Sequence, residues 1–212
     1  MSHQLRSMKP GMLAWCFPFI VLVVMACQHF LDTRLALGVM GLIKSSDTLR
    51  IITSDIPDAL FLLVCIGSGF FWGYYFYLRH KGIINDNLRF SQLAGSAVPL
   101  AYILKGIFKY VFGRTNTRVW LANQASDDFH WFHGGGDYSG FPSGHMTVFS
   151  AFLAAIWVIY PRYRSISCSL VLLLGVALIV TDYHFLSDVI AGTYLGLIAT
   201  CLTKVYLDNV RR

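Results

Sequence analysis

Six apolar stretches determine what this chain can fold into. They cover about residues 11–31, 58–78, 92–112, 144–160, 166–183 and 187–207. Roughly 20 apolar residues suffice for an α-helix to cross a bilayer. Hydrophobic residues make up 56% of the 212 positions and charged residues only 13%, a balance unlike that of a soluble domain. We therefore predict an all-α integral membrane bundle of six transmembrane helices, with residues 1–212 forming a single domain.

The distribution of basic residues predicts the orientation of this bundle. Lys and Arg concentrate at both termini and in the connectors 78–89 and 160–165, and such residues favour the cytoplasmic side. The loops 32–57 and 113–143 and the turn near 184 then face the other side. We predict a multi-pass membrane protein with both termini cytoplasmic, so that any chemistry carried by these loops lies on the extracytoplasmic side.

Four further features limit the interpretation. The formal net charge of +6 suits anionic lipids and anionic substrates equally. The segment LALGVMGLIKSS (35–46) is too short to span and is expected to lie as an amphipathic helix at the interface. The five cysteines fall inside apolar runs without metal-type spacing and are expected to be buried free thiols. The first apolar run exceeds signal-peptide length, so we expect it to remain as a helix.

The stretch GFPSGHMTVF places polar groups directly before an apolar helix. Ser143 is suited to cap that helix, and Gly144 allows an anion to approach backbone N–H groups that a helix start leaves unpaired. A simple helix cap is the alternative. His145 favours an anion site, because it places a titratable group where a phosphate or carboxylate would bind.

A second cluster lies in TDYHFLSDVIAG, residues 181–192. His184 and Asp188 are four residues apart, a spacing at which an imidazole and a carboxylate can meet on a helix. The carboxylate would fix the tautomer and stabilise the imidazolium, leaving the other ring nitrogen to attack a substrate. A structural interfacial histidine is the alternative.

Four cations lie in LKGIFKYVFGRTNTR, at the extracytoplasmic end of the third predicted span. Lys105 and Lys109 share a helical face, and Gly113 is expected to end the helix before Arg114 and Arg118. Snorkelling and interface anchoring are one explanation. Binding of a phosphate dianion is the other, since Arg offers bidentate contacts and Lys a point charge.

The loop DDFHWFHGGGDYSG (127–140) is rich in glycine and aromatic residues. We expect it to form a lid and a headgroup pocket. A metal site built on His130 and His133 is the alternative, with the loop's three aspartates as further ligands: Asp127, Asp128 and Asp137. A haem bound between facing spans is disfavoured, because the histidines are not placed at mid-depth.

Together these residues resemble the type-2 phosphatidic acid phosphatase superfamily. Its signatures are Lys-x6-Arg-Pro, Pro-Ser-Gly-His and Ser-Arg-x5-His-x3-Asp. The second is complete at 142–145, and the third retains His184 and Asp188. The signature region runs from about residue 100 to 192, and the six-span layout extends the resemblance across the chain.

The resemblance implies a role for each residue. His184 would be the nucleophile that forms a phosphohistidine, with Asp188 orienting it, and His145 would be the general acid. Ser143 and the Gly144 amide would hold phosphoryl oxygens. The phosphate-binding cations would come from a set in which Lys109 fits the family register better than Lys105: Lys105, Lys109, Arg114 and Arg118. No metal or cofactor is implied.

Two positions depart from the family pattern. Asn116 stands where the first signature has Arg, and Leu178 stands where the third signature has Arg. The first contact must then shift to Arg114 or Arg118. We expect Arg118 to compensate for the arginine missing from the third signature.

The resemblance thus implies a membrane phosphatase that hydrolyses the phosphate monoester or diphosphate of a lipid. Its interfacial active site would lie on the extracytoplasmic (periplasmic) side of a bacterial inner membrane. Phosphatidic acid, phosphatidylglycerol phosphate, undecaprenyl diphosphate and lipid A are the candidate substrates. A lipid phosphotransferase using the same histidine and a non-catalytic protein that binds or transports anionic lipid are the alternatives. The expected partners are a lipid phosphate and the bilayer, with no nucleic acid.

Overall fold

The computed structural model describes residues 10–43, 56–123 and 129–210. Within these ranges the regular structure is helical, apart from one isolated bridge between Arg114 and Phe129. Eight α-helices are described: α1 (Pro10–Phe30), α2 (Asp32–Ile43), α3 (Ile56–His80), α4 (Asp86–Phe112), α5 (Thr117–Asn123), α6 (Gly144–Ile159), α7 (Arg164–Val180) and α8 (Leu186–Val210). Short 3₁₀ turns at Gly136–Tyr138 and Pro161–Tyr163 precede α6 and α7. The predicted all-α membrane fold is confirmed.

Four of the described helices are long and apolar enough to cross a membrane: α1, α3, α7 and α8. The shorter α6 is also apolar. α4 has sufficient length, 27 residues, but Gln92, Lys105 and Lys109 interrupt its apolar sequence. The count of six spans and the side on which each loop lies therefore stay predictions.

Helix α6 lies at the centre of the bundle and is buried along most of its length. It packs against α4, α7 and α8, while α3 packs on α4 and α1 on α8. Small residues allow the central contact, since Ala101, Ala151 and Ala199 from three helices meet in one fully buried cluster. The loops that carry the signature residues are thereby gathered at one end of α4, α6 and α8.

Two glycines on α8 allow that helix to approach α6 closely. A Cβ atom on Gly192 would lie 2.5 Å from the carbonyl oxygen of Ser143, and one on Gly196 would lie 2.4 Å from that of Thr147. Small residues four apart are a common means of bringing membrane helices together. The spacing is visible in the sequence as GTYLG (192–196), but this pair was not among the predicted helix contacts.

Two smaller expectations have mixed outcomes. The segment 35–46 was expected to form a helix, and α2 covers residues 35–43 of it. Residues 44–46 lie outside the described ranges. All five cysteines are free, but only Cys27 and Cys201 are buried. The others lie exposed on helix surfaces, because an apolar run in a membrane protein can face lipid as well as the core.

Candidate active site

Helix α6 begins at the Pro-Ser-Gly-His sequence. Ser143 caps it, because the Ser143 hydroxyl accepts a hydrogen bond of 3.4 Å from the amide of Met146. The Ser143 amide donates to the carbonyl oxygen of Asp188 at 3.0 Å, and the Ser143 side chain is completely buried. Ser143 therefore joins α6 to α8, and its hydroxyl caps α6. A contact between this hydroxyl and a phosphoryl oxygen stays a prediction.

A cavity of about 500 Å³ lies at the start of α6. It is lined by two histidines, three cations and a smaller set of polar and apolar groups: His145, His184, Lys105, Lys109, Arg118, Asn116, Asp137, Ser139, Gly144, Tyr183, Leu60 and Val119. The positive end of the α6 dipole adds to the field of these cations. The cavity is thus suited to an anionic group.

His184 lies in the turn between α7 and α8, with Asp188 behind it. Nδ1 of His184 is 3.6 Å from Oδ2 of Asp188, slightly longer than a hydrogen bond. Burial lowers the pKa of His184 below its ordinary value, although Asp188 opposes that effect. His184 is therefore neutral near pH 7, and Nε2 is the ring nitrogen not directed at Asp188.

His145 occupies the first turn of α6 and is 8% exposed. Its ring packs edge-on against Tyr183, with centroids 5.3 Å apart. Nε2 of His145 is buried and has no hydrogen-bond partner among the described residues. A ligand in the cavity would supply that partner, because buried polar atoms are rarely left unsatisfied.

Lys105 and Lys109 both line the cavity, one helical turn apart on α4. The Lys105 ammonium lies 4.0 Å from the centre of the Tyr102 ring, and that of Lys109 donates to the carbonyl oxygen of Ser139 at 2.5 Å. A Cβ on Gly144 would lie 3.0 Å from Cδ of Lys105. Glycine therefore lets the lysine chains lie across the start of α6.

Arg118 is held against the turn that carries His184. Its guanidinium donates to the carbonyl oxygen of Thr181 at 3.0 Å and lies 4.9 Å from the centre of the Tyr183 ring. Leu178, which replaces the arginine of the third signature, packs instead in an apolar cluster with Met146 and Val189. Arg118 thus brings a guanidinium to the cavity from α5. That it compensates for the missing arginine stays a prediction.

Arg114 does not line the cavity, and the expectation that it contacts phosphate is corrected by its position. Its side chain is fully buried. The guanidinium donates to Asp188 at 2.7 Å, to Asp32 at 2.9 Å and to the Ser187 hydroxyl at 2.6 Å. A buried arginine needs carboxylate partners, and these carboxylates direct it away from the cavity, behind Asp188.

Residues 129–141 fold back over the end of α4. The amides of His130 and Gly134 donate to the carbonyl oxygens of Gly113 and Tyr110. Gly113 ends α4 with a positive φ of 56°, and a Cβ on Gly134 would overlap the Lys109 carbonyl. The loop thereby contributes Asp137 and Ser139 to one wall of the cavity, consistent with the predicted pocket.

The two loop histidines have separate environments. The His130 ring packs against Tyr138, and Nδ1 of His133 lies 2.8 Å from the carbonyl oxygen of Trp131. No group of three or more His, Cys, Asp or Glu side chains suited to a metal ion occurs among residues 10–43, 56–123 and 129–210. Asp127 and Asp128, two of the proposed ligands, lie outside those ranges.

Sequence reasoning missed the partners of Arg114. Asp32 is 82 residues away from Arg114 in sequence, and Ser187 is 73 residues away. The available signal was Asp32 itself, since a carboxylate directly after an apolar span requires a partner.

Comparison with known proteins identifies the family. The family model described as PAP2 superfamily matches residues 92–212, more than half of the chain. The chain belongs to the PAP2 superfamily. This match confirms the resemblance drawn from the Pro-Ser-Gly-His and His-x3-Asp sequences.

Two relatives named lipid A 1-phosphatase come from Rhizobium johnstonii and Rhizobium etli. Each is 38% identical over 74 residues, which is 35% of this chain. The matched region spans only 30% and 32% of the two relatives' lengths, so the chain aligns with about a third of each. The similarity is confined to a part of these proteins.

A solved structure shares the fold. It is the crystal structure of a transmembrane PAP2 type phosphatidylglycerolphosphate phosphatase from Bacillus subtilis, with a TM-score of 0.52 and 20% identity. The superposition covers 96% of this chain and 98% of the other. At this identity the likeness establishes the arrangement of helices.

Proposed function

We propose that this protein is a membrane phosphatase that hydrolyses the phosphate monoester or diphosphate of a lipid through a phosphohistidine on His184. The principal support is that His184 and His145 line one cavity with three cations, while Asp188 lies behind His184. A nucleophile, a proton donor and groups that stabilise an anionic transition state are the components that phosphoryl transfer requires.

In the first step Nε2 of His184 attacks phosphorus and the bond to the lipid oxygen breaks. The imidazole then carries positive charge, which Asp188 stabilises across the 3.6 Å separation. His145 gives its proton to the departing oxygen. A bound phosphate dianion favours the protonated form of His145, because its negative charge stabilises the imidazolium.

In the second step water attacks the phosphohistidine. His145, now neutral, accepts a proton from that water, and the bond between phosphorus and Nε2 breaks. Inorganic phosphate leaves, and His184 returns to its neutral form. Lys105, Lys109 and Arg118 stabilise charge on the phosphoryl oxygens in both steps, together with the backbone amide of Gly144, and no metal or cofactor takes part.

The substrate is expected to be a phosphate carried by a membrane lipid. Leu60 and Val119 provide apolar lining beside the charged groups, so a headgroup can enter while its chains stay in lipid. Because the two Rhizobium relatives are named lipid A 1-phosphatase, lipid A 1-phosphate is the first candidate. Phosphatidic acid, phosphatidylglycerol phosphate and undecaprenyl diphosphate complete the set.

The direct test is phosphate release by the purified protein in detergent. Each of the four lipids is supplied in the presence of EDTA, with His184→Ala as the matched control. We expect release from at least one lipid by the wild type and none by the variant. Turnover that needs an acceptor lipid would favour a phosphotransferase, and binding without turnover would favour a lipid-binding protein.

A further inference from the structure

Asp32 connects the candidate active site to a part of the chain outside the signature region. It begins α2, directly after the first long apolar helix, and is 1% exposed. Its carboxylate accepts hydrogen bonds from the Arg114 guanidinium at 2.9 Å and from the Ser187 amide at 3.0 Å. The Ser187 hydroxyl also donates to it. The residues matched to the family begin only at 92.

Arg114 links Asp32 to Asp188. One guanidinium nitrogen donates to Oδ1 of Asp188 and the other to Asp32. The opposite oxygen of Asp188, Oδ2, accepts from the Phe185 amide at 3.1 Å and faces Nδ1 of His184. Asp188 is therefore fixed through both oxygens, and the arginine that fixes one of them is itself held by Asp32.

The charges of the buried cluster formed by Asp32, Arg114 and Asp188 give Asp32 a second effect, on the charge of His184. Arg114 carries one positive charge, and Asp32 and Asp188 carry two negative charges when ionised. If Asp188 alone faced Arg114, that pair would be neutral and would stabilise an imidazolium weakly. Because Asp32 shares the arginine, the buried cluster keeps a net negative charge, which favours positive charge on His184.

We infer that Asp32 is a positioning residue for the reaction, which holds Arg114 so that Asp188 keeps both its orientation and its negative charge toward His184. This inference rests on the proposed function of His184. The hydrogen bonds of Asp32 run to Arg114 and Ser187, and neither of these residues lines the cavity. Asp32 therefore acts on the chemical step through Arg114 and Asp188. Its loss is expected to lower kcat and leave KM nearly unchanged.

The pH dependence separates this effect from damage to the fold. The charged and titratable groups that face His184 are Asp188 from α8, Lys109 from α4 and His145 from α6. Tyr183, from the same turn, packs its ring edge-on against that of His184 at 5.2 Å. Asp32→Asn removes one negative charge behind Asp188, which disfavours the imidazolium and moves the acid limb of the activity profile to lower pH. A disrupted site would admit water to His184 and move that limb upward.

The experiment compares kcat, KM and the pH profile of phosphate release for the wild type, Asp32→Asn, Asp188→Asn and the double variant. Asp86→Asn is the control, because Asp86 is an exposed residue on the first turn of α4, paired with Arg89. We expect Asp32→Asn to lower kcat about 10- to 100-fold. Its acid limb should move down by about half to one pH unit, while Asp86→Asn behaves like the wild type.

The double variant tests whether Asp32 acts through Asp188. Residues that act as a unit have non-additive effects, so adding Asp32→Asn to Asp188→Asn should change kcat less than about threefold. Three results would each overturn the inference: single effects that multiply in the double variant, wild-type kinetics in a folded Asp32→Asn protein, or a shift of the acid limb of the activity profile to higher pH. Full activity of His184→Ala would instead overturn the proposed function.

Thermal unfolding in detergent establishes that each variant folds. If Asp32→Asn does not fold, Ser187→Ala takes its place, because it removes only a hydroxyl that bonds both Arg114 and Asp32. That variant is expected to lower kcat several-fold with KM unchanged. An unchanged kcat in Ser187→Ala would then contradict the positioning role.

Discussion

The amide of Ser143 donates a hydrogen bond to the carbonyl oxygen of Asp188 at 3.0 Å. This contact joins the first residues of α6 to the helix that carries the carboxylate behind His184. Since His145 follows Ser143 by two residues, the separation of the two histidines depends on how closely α6 and α8 approach. The glycines of α8 set that approach.

Gly192→Ala should therefore damage both stability and activity. The new Cβ would lie 2.5 Å from the Ser143 carbonyl oxygen, so the helices must separate, at a cost of about 1–3 kcal/mol. We expect a lower unfolding temperature in detergent together with a lower kcat. Gly69→Ala is the control, because nothing lies within 4 Å of its Cβ position; equal behaviour of the two variants would refute the prediction.

Arg118→Ala should reduce turnover strongly. Arg118 lines the cavity beside Tyr183 and is the proposed replacement for the arginine missing at Leu178. Loss of one charge-assisted contact to a transition state costs about 10²–10³ in kcat. The matched control is Arg79→Ala, since Arg79 is exposed and bonds Tyr75. Similar small effects of both substitutions in a phosphate-release assay would argue against this role.

Gly144→Ala should weaken substrate binding while leaving the fold intact. Its Cβ would meet the Lys105 chain, at 3.0 Å from Cδ and 3.4 Å from Nζ. Because the neighbour is the end of a flexible side chain, the lysine can move away from the start of α6, and its charge moves with it. We expect a KM several-fold higher and an unfolding temperature close to that of the wild type. An unchanged KM would show that the position of Lys105 does not matter.

Activity should persist to unusually low pH for a histidine enzyme. Burial lowers the pKa of His184 below 6.5, and only the neutral ring can attack phosphorus. The fraction of active His184 therefore stays high as the pH falls to 6.5 and declines only below it. The measurement is kcat against pH, with the titration of the lipid phosphate followed separately by phosphorus NMR. A His184-dependent midpoint at or above 6.5 would contradict the prediction.

Much of the site could be predicted because its signals are local. Ser143, Gly144 and His145 are adjacent in sequence, and His184 and Asp188 are one helical turn apart. Lys105 and Lys109 were placed on one helical face, and both line the cavity. Local spacing of this kind determines which side chains share a helix face.

The remaining features depend on contacts distant in sequence. Arg114 resembled a phosphate ligand because the sequence does not show that Asp32, 82 residues earlier, would bind it. The close approach of α8 to α6 likewise depends on which helices are neighbours. The cysteines on helix surfaces show the same limit, since apolar sequence alone does not separate lipid-facing from buried positions.

Detection of a phosphohistidine tests the proposed mechanism most directly. The wild-type protein is mixed with the lipid that it hydrolyses, quenched at alkaline pH and analysed by peptide mass spectrometry, with His184→Asn treated in parallel. We expect a phosphoryl group on His184 in the wild type and none on any histidine of the variant. Rapid turnover without a phosphorylated His184, together with activity retained in His184→Asn, would contradict the mechanism.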